Sequence, residues 1–248
     1  MAQFRTLAAR LTRSIPLSQL TKHLEFEVQG VVRFGFVPGQ WLSVKATTPE
    51  GEEITRAYSI VSAPSEGKEF EFCLNPVEDG FMSNYLCDLE EGAEISFQGP
   101  FGDFILRPPL RDTLLIATGT GIAPFRSMLR ALFSRTPDKQ TGPPFVAPSH
   151  HFWLLFGARF EQDIYYRKDF EYLEAEHANF HFVPTLSQGS LEWHGLRGYV
   201  QEHVREIVGG RQDMQAHICG LHKMVSVNRN LLKSLGWNRE SIRYENYD

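Results

Sequence analysis

A glycine-rich segment, Gly119-Thr-Gly-Ile-Ala-Pro-Phe125, has the residue types of a phosphate-binding loop. It follows the apolar run 113–117 and precedes apolar residues at helical spacing. Glycines let a backbone approach a diphosphate closely, and the first amides of a helix are free to bind an anion. Pro124 suits a first helical turn, where the missing N–H has no intrahelical partner, but it departs from the G-x-G-x-x-G pattern. The segment predicts a dinucleotide-binding loop, with a tight strand-to-helix turn as the alternative.

Two other segments have residue types that suit a phosphate-bearing cofactor. In a strand over Arg56-Ala57-Tyr58-Ser59, alternation puts Arg56 and Tyr58 on one face. A guanidinium pairs with phosphate, and a phenol ring covers a flat heterocycle. Gly80-Phe81-Met82-Ser83 leads into a predicted helix over 83–89, whose first amides suit an anion. An ordinary amphipathic strand and a plain capped helix are the alternative interpretations.

The end of the chain adds two smaller candidates. Cys219-Gly220-Leu221 follows a short apolar run, and Glu245-Asn-Tyr247 precedes the last residue, Asp248. A buried thiol and aromatic packing are the ordinary interpretations of these residues, so neither segment alone indicates chemistry.

The first part of the chain, to about residue 106, contains short strand-like runs separated by glycine and proline. The runs cover 24–28, 41–44, 57–61, 70–74 and 94–98. With one helix among them, they predict a small antiparallel barrel.

From residue 112 onward, strand-like runs alternate with helical stretches. The runs are 113–117, 152–156, 180–184 and 216–219, and the helical stretches after the glycine-rich loop are 168–177, 198–208 and 224–235. This alternation predicts a doubly wound parallel sheet. Pro108-Pro109 marks the boundary, so we predict domains at 1–107 and 112–248, and a long surface loop over 135–150.

Composition excludes several classes of protein. The chain has 248 residues, 42% of them hydrophobic, with 25 Lys and Arg against 30 Asp and Glu. This mildly acidic balance disfavours nucleic acid as a partner, and no apolar run approaches the roughly 18 residues that span a bilayer. The basic start lacks a cleavage-like site, so we expect a cytoplasmic protein without membrane insertion. Three cysteines at wide spacing and nine histidines without ligand spacing predict no metal site.

The five segments together, in this order, resemble the plant-type ferredoxin–NADP⁺ reductase family and its relatives among oxygenase reductase components. That family has the motifs R-x-Y-S, G-x-x-S, G-T-G-I-A-P-F, C-G and a terminal E-x-Y. The matching segments here are RAYS at 56–59, GFMS at 80–83, GTGIAPF at 119–125, CG at 219–220 and ENY at 245–247. The resemblance implies two domains: an antiparallel β-barrel that binds flavin, followed by an α/β doubly wound parallel sheet that binds a nucleotide.

The resemblance also implies an FAD site in the barrel. Arg56 would bind the pyrophosphate, Tyr58 would lie against the isoalloxazine, and Ser59 would hydrogen-bond near flavin N5. The other implied FAD-binding residues are Ala57, Cys73, Leu74, Asn75, Gly80, Phe81, Met82 and Ser83.

In the second domain, the resemblance implies a nicotinamide site. Cys219 would lie near nicotinamide C4, and Glu245 would help Ser59 to place the ring. Tyr247 would stack on the flavin and move aside for nicotinamide. These four residues form the implied catalytic set, although Asp248 after Tyr247 departs from the family's usual terminus. The remaining implied nucleotide-binding residues are Thr120, Gly157, Arg159, Ser187, Gln188, Arg197, Tyr199, Gly220 and Leu221.

The implied activity is electron exchange between NADP(H) and a separate one-electron carrier, ferredoxin or flavodoxin, by a monomeric FAD enzyme. Arg197 and Tyr199 match positions that hold the 2′-phosphate in this family, whereas Gln188 stands where members that prefer NADPH often have arginine. NAD(H) therefore stays open as the nucleotide. An NADH-dependent reductase component of an oxygenase and a non-catalytic flavin-binding electron-transfer subunit are the alternative functions.

Overall fold

The computed structural model describes residues 5–133 and 149–247. Most of the loop predicted at 135–150, and Asp248, lie outside the described residues. The chain divides into two compact units, Met1–Ile105 with Ala123–Ala131, and Leu106–Ile122 with Leu132–Asp248. The predicted functional ranges, 1–107 for flavin and 112–248 for nucleotide, stay a prediction.

The first unit contains an antiparallel barrel of six strands. The strands are β1 (Leu7–Pro16), β2 (Lys22–Val28), β3 (Trp41–Thr47), β4 (Glu53–Ser59), β5 (Glu69–Leu74) and β6 (Glu94–Phe101), and helix α1 is Phe81–Asp88. They are ordered β4-β3-β6-β1-β2-β5, with antiparallel pairing throughout. A bridge between Ile60 and Phe72 joins the two ends of this order. The predicted barrel is therefore confirmed.

The barrel core is rich in phenylalanine because inward-facing strand positions alternate with solvent-facing ones. Phe26, Phe70, Phe72 and Phe97 are fully buried, with ring centroids 5.0–5.7 Å apart among the contacting pairs. Each such side chain contributes about 1.5–3 kcal/mol through burial. Helix α1 adds Leu86 to the same core, and this packing fixes the helix on the barrel.

The second unit contains a parallel sheet of six strands. These are β7 (Thr113–Thr118), β8 (Phe152–Ala158), β9 (Phe180–Leu186), β10 (Leu196–Arg197), β11 (Gln215–Leu221) and β12 (Ile242–Tyr247). Their order is β10-β9-β8-β7-β11-β12, and every pair is parallel. All strands therefore end at one edge, which is where ligands bind in open sheets of this kind.

Helices cover both faces of this sheet. The covering helices are α3 (Arg167–Glu176), α4 (Val200–Val208) and α5 (His222–Ser234), whereas α2 (Ala123–Phe133) follows the glycine-rich turn and is grouped for most of its length with the first unit. Val204 of α4 and Val225 of α5 pack with Leu114 and Ile116 of β7. On the other face, Phe170 of α3 contacts Phe182 of β9, with ring centroids 5.2 Å apart. The predicted doubly wound architecture is confirmed.

The structure adds elements and moves boundaries that the sequence patterns did not locate. The register of β1 shifts between Leu11 and Arg13, which breaks the alternation by which a strand is recognised. Helix α4 begins at Val200 rather than at 198, because Gly198 has a φ of +98°. Among the helices in the described part of the chain, none has both the length and the apolar character needed to cross a bilayer.

Candidate active site

The loop before α1 is held in shape by side chains of its own helix. The Val77 amide donates to Ser83 Oγ at 3.1 Å, and Ser83 Oγ lies 3.3 Å from the Gly80 carbonyl. Asn84 Nδ2 donates to the carbonyls of Val77 and Gly80, at 2.9 and 2.6 Å. The Ser83 hydroxyl is thus used within the protein, and the backbone amides at the start of α1 are what the loop offers to an anion.

The RAYS segment lies in β4, as predicted, with its side chains in different environments. Arg56 and Ala57 are exposed, and Arg56 Nη1 donates to the Thr55 carbonyl at 2.8 Å. Tyr58 is half-buried, with its ring 5.6 Å from that of Phe72, and burial raises the pKa of its phenol. Ser59 is buried. The exposed guanidinium is free to meet a phosphate, whereas the tyrosine is partly committed to the barrel.

Several residues implied at the flavin site belong to the barrel interior. Met82 and Leu74 are 3% exposed and Cys73 is 6% exposed, so their side chains offer little contact surface. Asn75 is half-buried and donates to the Pro76 carbonyl at 3.3 Å. Phe81 stacks on Tyr85, with centroids 6.0 Å apart. Around α1, packing therefore uses most side chains that the motif pattern singled out.

The glycine-rich loop lies at the end of β7, at the edge where the parallel strands finish. Residues Gly119–Ile122 form a 3-10 turn, and α2 follows at once. A Cβ atom on Gly121 would lie 2.3 Å from the Cys219 carbonyl oxygen, which the backbone does not allow. Gly119 has a φ of +55°. Both glycines are thus required by the turn itself, and Thr120 between them is half-buried.

Thr118, the residue before this turn, was not singled out by the sequence patterns. Its buried Oγ1 atom has no hydrogen-bond partner in the described part of the chain. It lies close to Gly220, where an added Cβ would meet that oxygen at 2.6 Å, and Gly220 has a φ of +147°. An unsatisfied buried hydroxyl at the ligand-binding edge is available to a bound water or ligand. The neighbouring strands β7 and β11 therefore place the Thr118 hydroxyl beside the backbone of Gly220, which carries no side chain.

Cys219 and Glu245 are neighbours on adjacent parallel strands, in register across β11 and β12. Cys219 is fully buried, and this burial raises the pKa of its thiol, with the nearby Glu245 carboxylate adding to the effect. A hydrogen bond from Tyr247 opposes that shift. Burial also raises the pKa of Glu245 to about 7, and its Oε2 atom has no partner among the described residues. The second unit thus holds a thiol beside a carboxyl group that titrates near neutral pH.

Arg197 is bonded to the backbone of the loop that precedes it. Its guanidinium donates to the carbonyls of Gly189, Ser190 and Trp193 at 3.0, 2.6 and 2.8 Å. Glu161 holds the same loop from the other side, because its Oε1 accepts from the amide and hydroxyl of Ser190 at 3.0 and 2.6 Å. The loop borders a cavity of about 660 Å³, lined by Glu161, Arg167, Ser190, Glu192, Trp193, His194 and Gly195.

Arg159 and Ser187 lie together where β8 and β9 end. The Ser187 amide donates to the Ala158 carbonyl, and the Gln188 amide donates to the Arg159 carbonyl. The Arg159 side chain is exposed and forms no hydrogen bond or ion pair within residues 5–133 and 149–247. Tyr199 is 63% exposed and Gln188 is exposed. These residues form the outer part of the edge, beside Gly157, where an added Cβ would meet Val200 Cγ1 at 2.8 Å.

The implied residues thus form one group in each unit. Arg56 to Ser59 and the loop at 80–83 lie in the first unit, and Cys219, Gly220, Leu221, Glu245 and Tyr247 lie with the nucleotide candidates in the second. Leu221 is 67% exposed. Within the described residues, no group of three or more His, Cys, Asp or Glu side chains is arranged to hold a metal ion.

Comparison with known proteins assigns a family domain to each half of the chain. Residues 8–105 match an oxidoreductase FAD-binding domain, and residues 115–230 match an oxidoreductase NAD-binding domain. The chain is 41% identical to ferredoxin–NADP reductase B of Sorangium cellulosum over the full length of both. It is 27% identical to the toluate 1,2-dioxygenase electron transfer component of Pseudomonas putida, covering 93% of this chain and 64% of that one.

A solved structure shows the same fold. The ferredoxin NADP⁺ reductase of Neisseria gonorrhoeae, determined with bound FAD and NADP, superimposes with a TM-score of 0.77 at 22% identity, over 98% of this chain and 99% of that one. The matched domains define the class: an oxidoreductase with an FAD-binding and an NAD-binding domain. Within this class, the full-length identity shows that the chain belongs to the ferredoxin–NADP reductase family. The predicted family, cofactor classes and oxidoreductase activity are confirmed.

Proposed function

We propose that this protein transfers electrons between NADP(H) and ferredoxin or flavodoxin through FAD. The observation that carries the proposal is the pairing of the buried Cys219 with the half-buried Glu245, near the edge where the glycine-rich loop lies. A carboxyl group with a pKa of about 7, next to a desolvated thiol, is typical of reaction sites rather than of structural ion pairs. Membership of the family identifies the cofactors, and we propose that the nicotinamide ring binds beside Cys219 and Glu245.

We propose that the barrel residues bind FAD through charge and backbone. Arg56 supplies a guanidinium for the pyrophosphate, and the amides of Phe81, Met82 and Ser83 at the start of α1 supply further donors. Tyr58 and Ser59 contact the ring system at the end of β4. The fit rests on the exposed guanidinium and on the loop shape held by Ser83 and Asn84. Ala57 and Asn75 border this site, whereas Cys73 and Leu74, which are buried, support it from beneath.

The nicotinamide ring is proposed to lie against Cys219 and Gly220. Bound FAD supplies hydride acceptance from the nicotinamide and single-electron delivery to the carrier. Below about pH 7 the Glu245 carboxyl group is protonated, and its unpartnered Oε2 atom is available to hydrogen-bond the nicotinamide. The Thr118 hydroxyl offers a second polar contact, which suits a carboxamide. Tyr247 would cover the flavin surface that nicotinamide must reach, and its ring would have to be displaced when the nucleotide binds.

We propose that Arg159 contacts the 2′-phosphate that distinguishes NADPH from NADH. Its guanidinium is exposed and unpaired in the described residues, and it lies beside Ser187 and Gln188. Arg197 uses three donors on backbone carbonyls, so its proposed role is to hold the loop that presents these residues. Tyr199, which is exposed, supplies a flat ring for the adenine.

The proposed carrier is a separate protein. Relatives at 27–28% identity are named as electron transfer components of dioxygenases, which supports transfer to a partner. Steady-state assays test the proposal: NADPH or NADH as donor, and ferricyanide, ferredoxin or flavodoxin as acceptor. We expect faster turnover with NADPH and reduction of both proteins by a monomeric enzyme. A strong NADH preference would favour an oxygenase reductase component, and no reduction of ferricyanide with either nucleotide would favour a non-catalytic subunit.

A further inference from the structure

A second cavity lies on the α5 side of the parallel sheet, at the edge strand β12. Its volume is about 340 Å³, and its lining consists of Arg229, Lys233, Arg239, Ile242 and Tyr244. Three of these five side chains are cationic and none is acidic. Ligand sites of about 300–1,000 Å³ are usual for small molecules. The cavity therefore has the size of a small-molecule site and a single sign of charge.

The positive charge in this cavity is not neutralised by the protein. Within the described residues, the side chains of Arg229, Lys233 and Arg239 form no hydrogen bond and no ion pair. Glu240, the next residue in sequence after Arg239, forms no ion pair with them. Lys233 lies in the last turn of α5, where the helix dipole attracts a cation without neutralising it. Three like charges around one concave surface repel one another unless an anion joins them.

The geometry of Arg229 is ordered rather than loose. Its guanidinium carbon lies 3.5 Å from the centroid of the Tyr244 ring, which is a close cation–π contact. The contact holds the planar guanidinium in place and leaves its N–H groups available, because the ring face accepts none of them in a directional bond. A held guanidinium beside two more cations suits bidentate binding of a phosphate group.

This cavity is separate from the proposed nucleotide site. It lies at the beginning of β12, where Ile242 is in register with Ala216, the second residue of β11. Tyr244 and Glu245 are successive residues of β12, so Tyr244 lies on one face of the sheet, whereas Glu245 and its register partner Cys219 lie on the other. The cavity is on the face that α5 covers, because Ile242 packs with Val225 of that helix. One phosphate group therefore cannot occupy both places.

We propose that the α5–β12 cavity binds a small phosphate-bearing anion, at a site distinct from the nucleotide site. Arg229 and Arg239 bind the phosphate oxygens, and Lys233 adds a third positive charge. The concave shape and the size of the cavity favour a small molecule over the surface of an acidic protein.

The test uses the full-length FAD-bound protein, saturated with NADP⁺ so that the nucleotide site is filled. Inorganic pyrophosphate is the probe, and calorimetric titration at low ionic strength measures its affinity. We expect saturable binding at one site, and binding about tenfold weaker or more in the double variant Lys233→Gln, Arg239→Gln, because charge-assisted hydrogen bonds are lost. Thermal unfolding and NADPH–ferricyanide activity of that variant should equal those of the wild type.

Two further variants serve as controls, one for binding at the nucleotide site and one for the aromatic contact of Arg229. Arg159→Gln, which alters the proposed nucleotide site, should leave pyrophosphate affinity unchanged, and so should Tyr244→Phe, which keeps the ring under Arg229. Absence of saturable binding, or equal binding by the double variant, would overturn the proposal. So would loss of carrier reduction in the double variant without any pyrophosphate binding, because that result would identify an acidic protein as the occupant.

Discussion

The barrel and the parallel sheet use their candidate residues in different ways. In the barrel, Ser83 and Asn84 are bonded to their own loop, and Met82 is packed in the core. At the edge of the sheet, Thr118 Oγ1 and Glu245 Oε2 are buried without a partner in the described residues. In the barrel, the polar groups are hydrogen-bonded without a ligand. At the edge of the parallel sheet, two polar groups lack a partner within the described part of the chain when no ligand is bound.

The difference predicts different costs of substitution. A satisfied group supports the fold, so its removal lowers the free energy of unfolding together with cofactor binding. An unsatisfied buried group already costs stability, so its removal lowers activity while the fold keeps its stability or gains some. Substitutions at five positions test this contrast.

The largest effect is expected at Glu245. If its neutral form donates a hydrogen bond, kcat/KM for NADPH should fall as pH rises through about 7, the pKa of this carboxyl group. Glu245→Gln should remove that inflection and keep most of the rate, because its amide still donates, whereas Glu245→Ala, which has no donor, should lower the rate roughly a hundredfold. Stopped-flow measurement of flavin reduction over roughly pH 5.5–8.5 gives both the pH inflection and the rate. Glu240→Gln, on the turn before the same strand, is the matched control, and persistence of the inflection in Glu245→Gln would assign it to another group.

The same carboxyl group links stability to pH. In the folded protein, Glu245 stays largely protonated up to about pH 7, whereas the ordinary pKa of a glutamate carboxyl group is 4.5. The folded state then binds more protons than the unfolded state between these values, so the free energy of unfolding decreases as pH rises through this range. Glu245→Gln should weaken that decrease in urea titrations.

The effect of substitution on the preference for NADPH over NADH should differ between Arg159 and Arg197, two arginines at the sheet edge. Arg159→Ala should lower kcat/KM for NADPH by about tenfold to a hundredfold and leave NADH little changed, because one charge-assisted contact is lost. Arg197→Ala should weaken both nucleotides alike, since the loop at 189–193 loses three bonds. Measurement of kcat/KM for NADPH and for NADH in both variants tests these expectations. A loss confined to NADPH in Arg197→Ala would restore the role that the family motif implies for it.

In the barrel, Ser83→Ala should couple stability to flavin retention. Loss of its bonds to Val77 and Gly80 should lower the free energy of unfolding by about 1–2 kcal/mol and weaken FAD binding about tenfold. Urea unfolding and flavin fluorescence measure the two quantities. Ser65→Ala is the control, because Ser65 accepts the Gly67 amide in an exposed turn outside the site. Unchanged FAD affinity in a destabilised Ser83→Ala protein would break the proposed coupling.

The smallest effect is expected at Tyr247. Tyr247→Ser should strengthen nicotinamide binding about twofold to tenfold, because the nucleotide no longer displaces a stacked ring. The flavin spectrum should change with it. Tyr247→Phe keeps the ring and removes only the hydroxyl, so it should match the wild type in nucleotide affinity. Titration of the flavin absorbance measures both variants, and an unchanged affinity in Tyr247→Ser would show that the ring does not cover the flavin.

Local sequence patterns predicted the elements that carry the motifs, because strand alternation and helix-start chemistry depend on neighbouring residues. RAYS lies in β4, and the glycine-rich loop follows β7. Contacts between distant residues were not predictable in this way. Arg197 bonds backbone carbonyls, Tyr58 packs on Phe72, and Thr118 meets Gly220 across two strands. Each of these depends on tertiary packing, which residue type and spacing do not encode.

The close approach of Gly121 to the Cys219 carbonyl has a consequence for reading sequences. At 2.3 Å, no Cβ fits between these two backbones, whether or not a nucleotide is ever bound. A descendant that lost its nicotinamide site would therefore keep this glycine for as long as it kept the fold. In a genome survey, Gly121 marks ancestry, and the exposed Arg159 and the carboxyl group of Glu245 are better markers of a working enzyme.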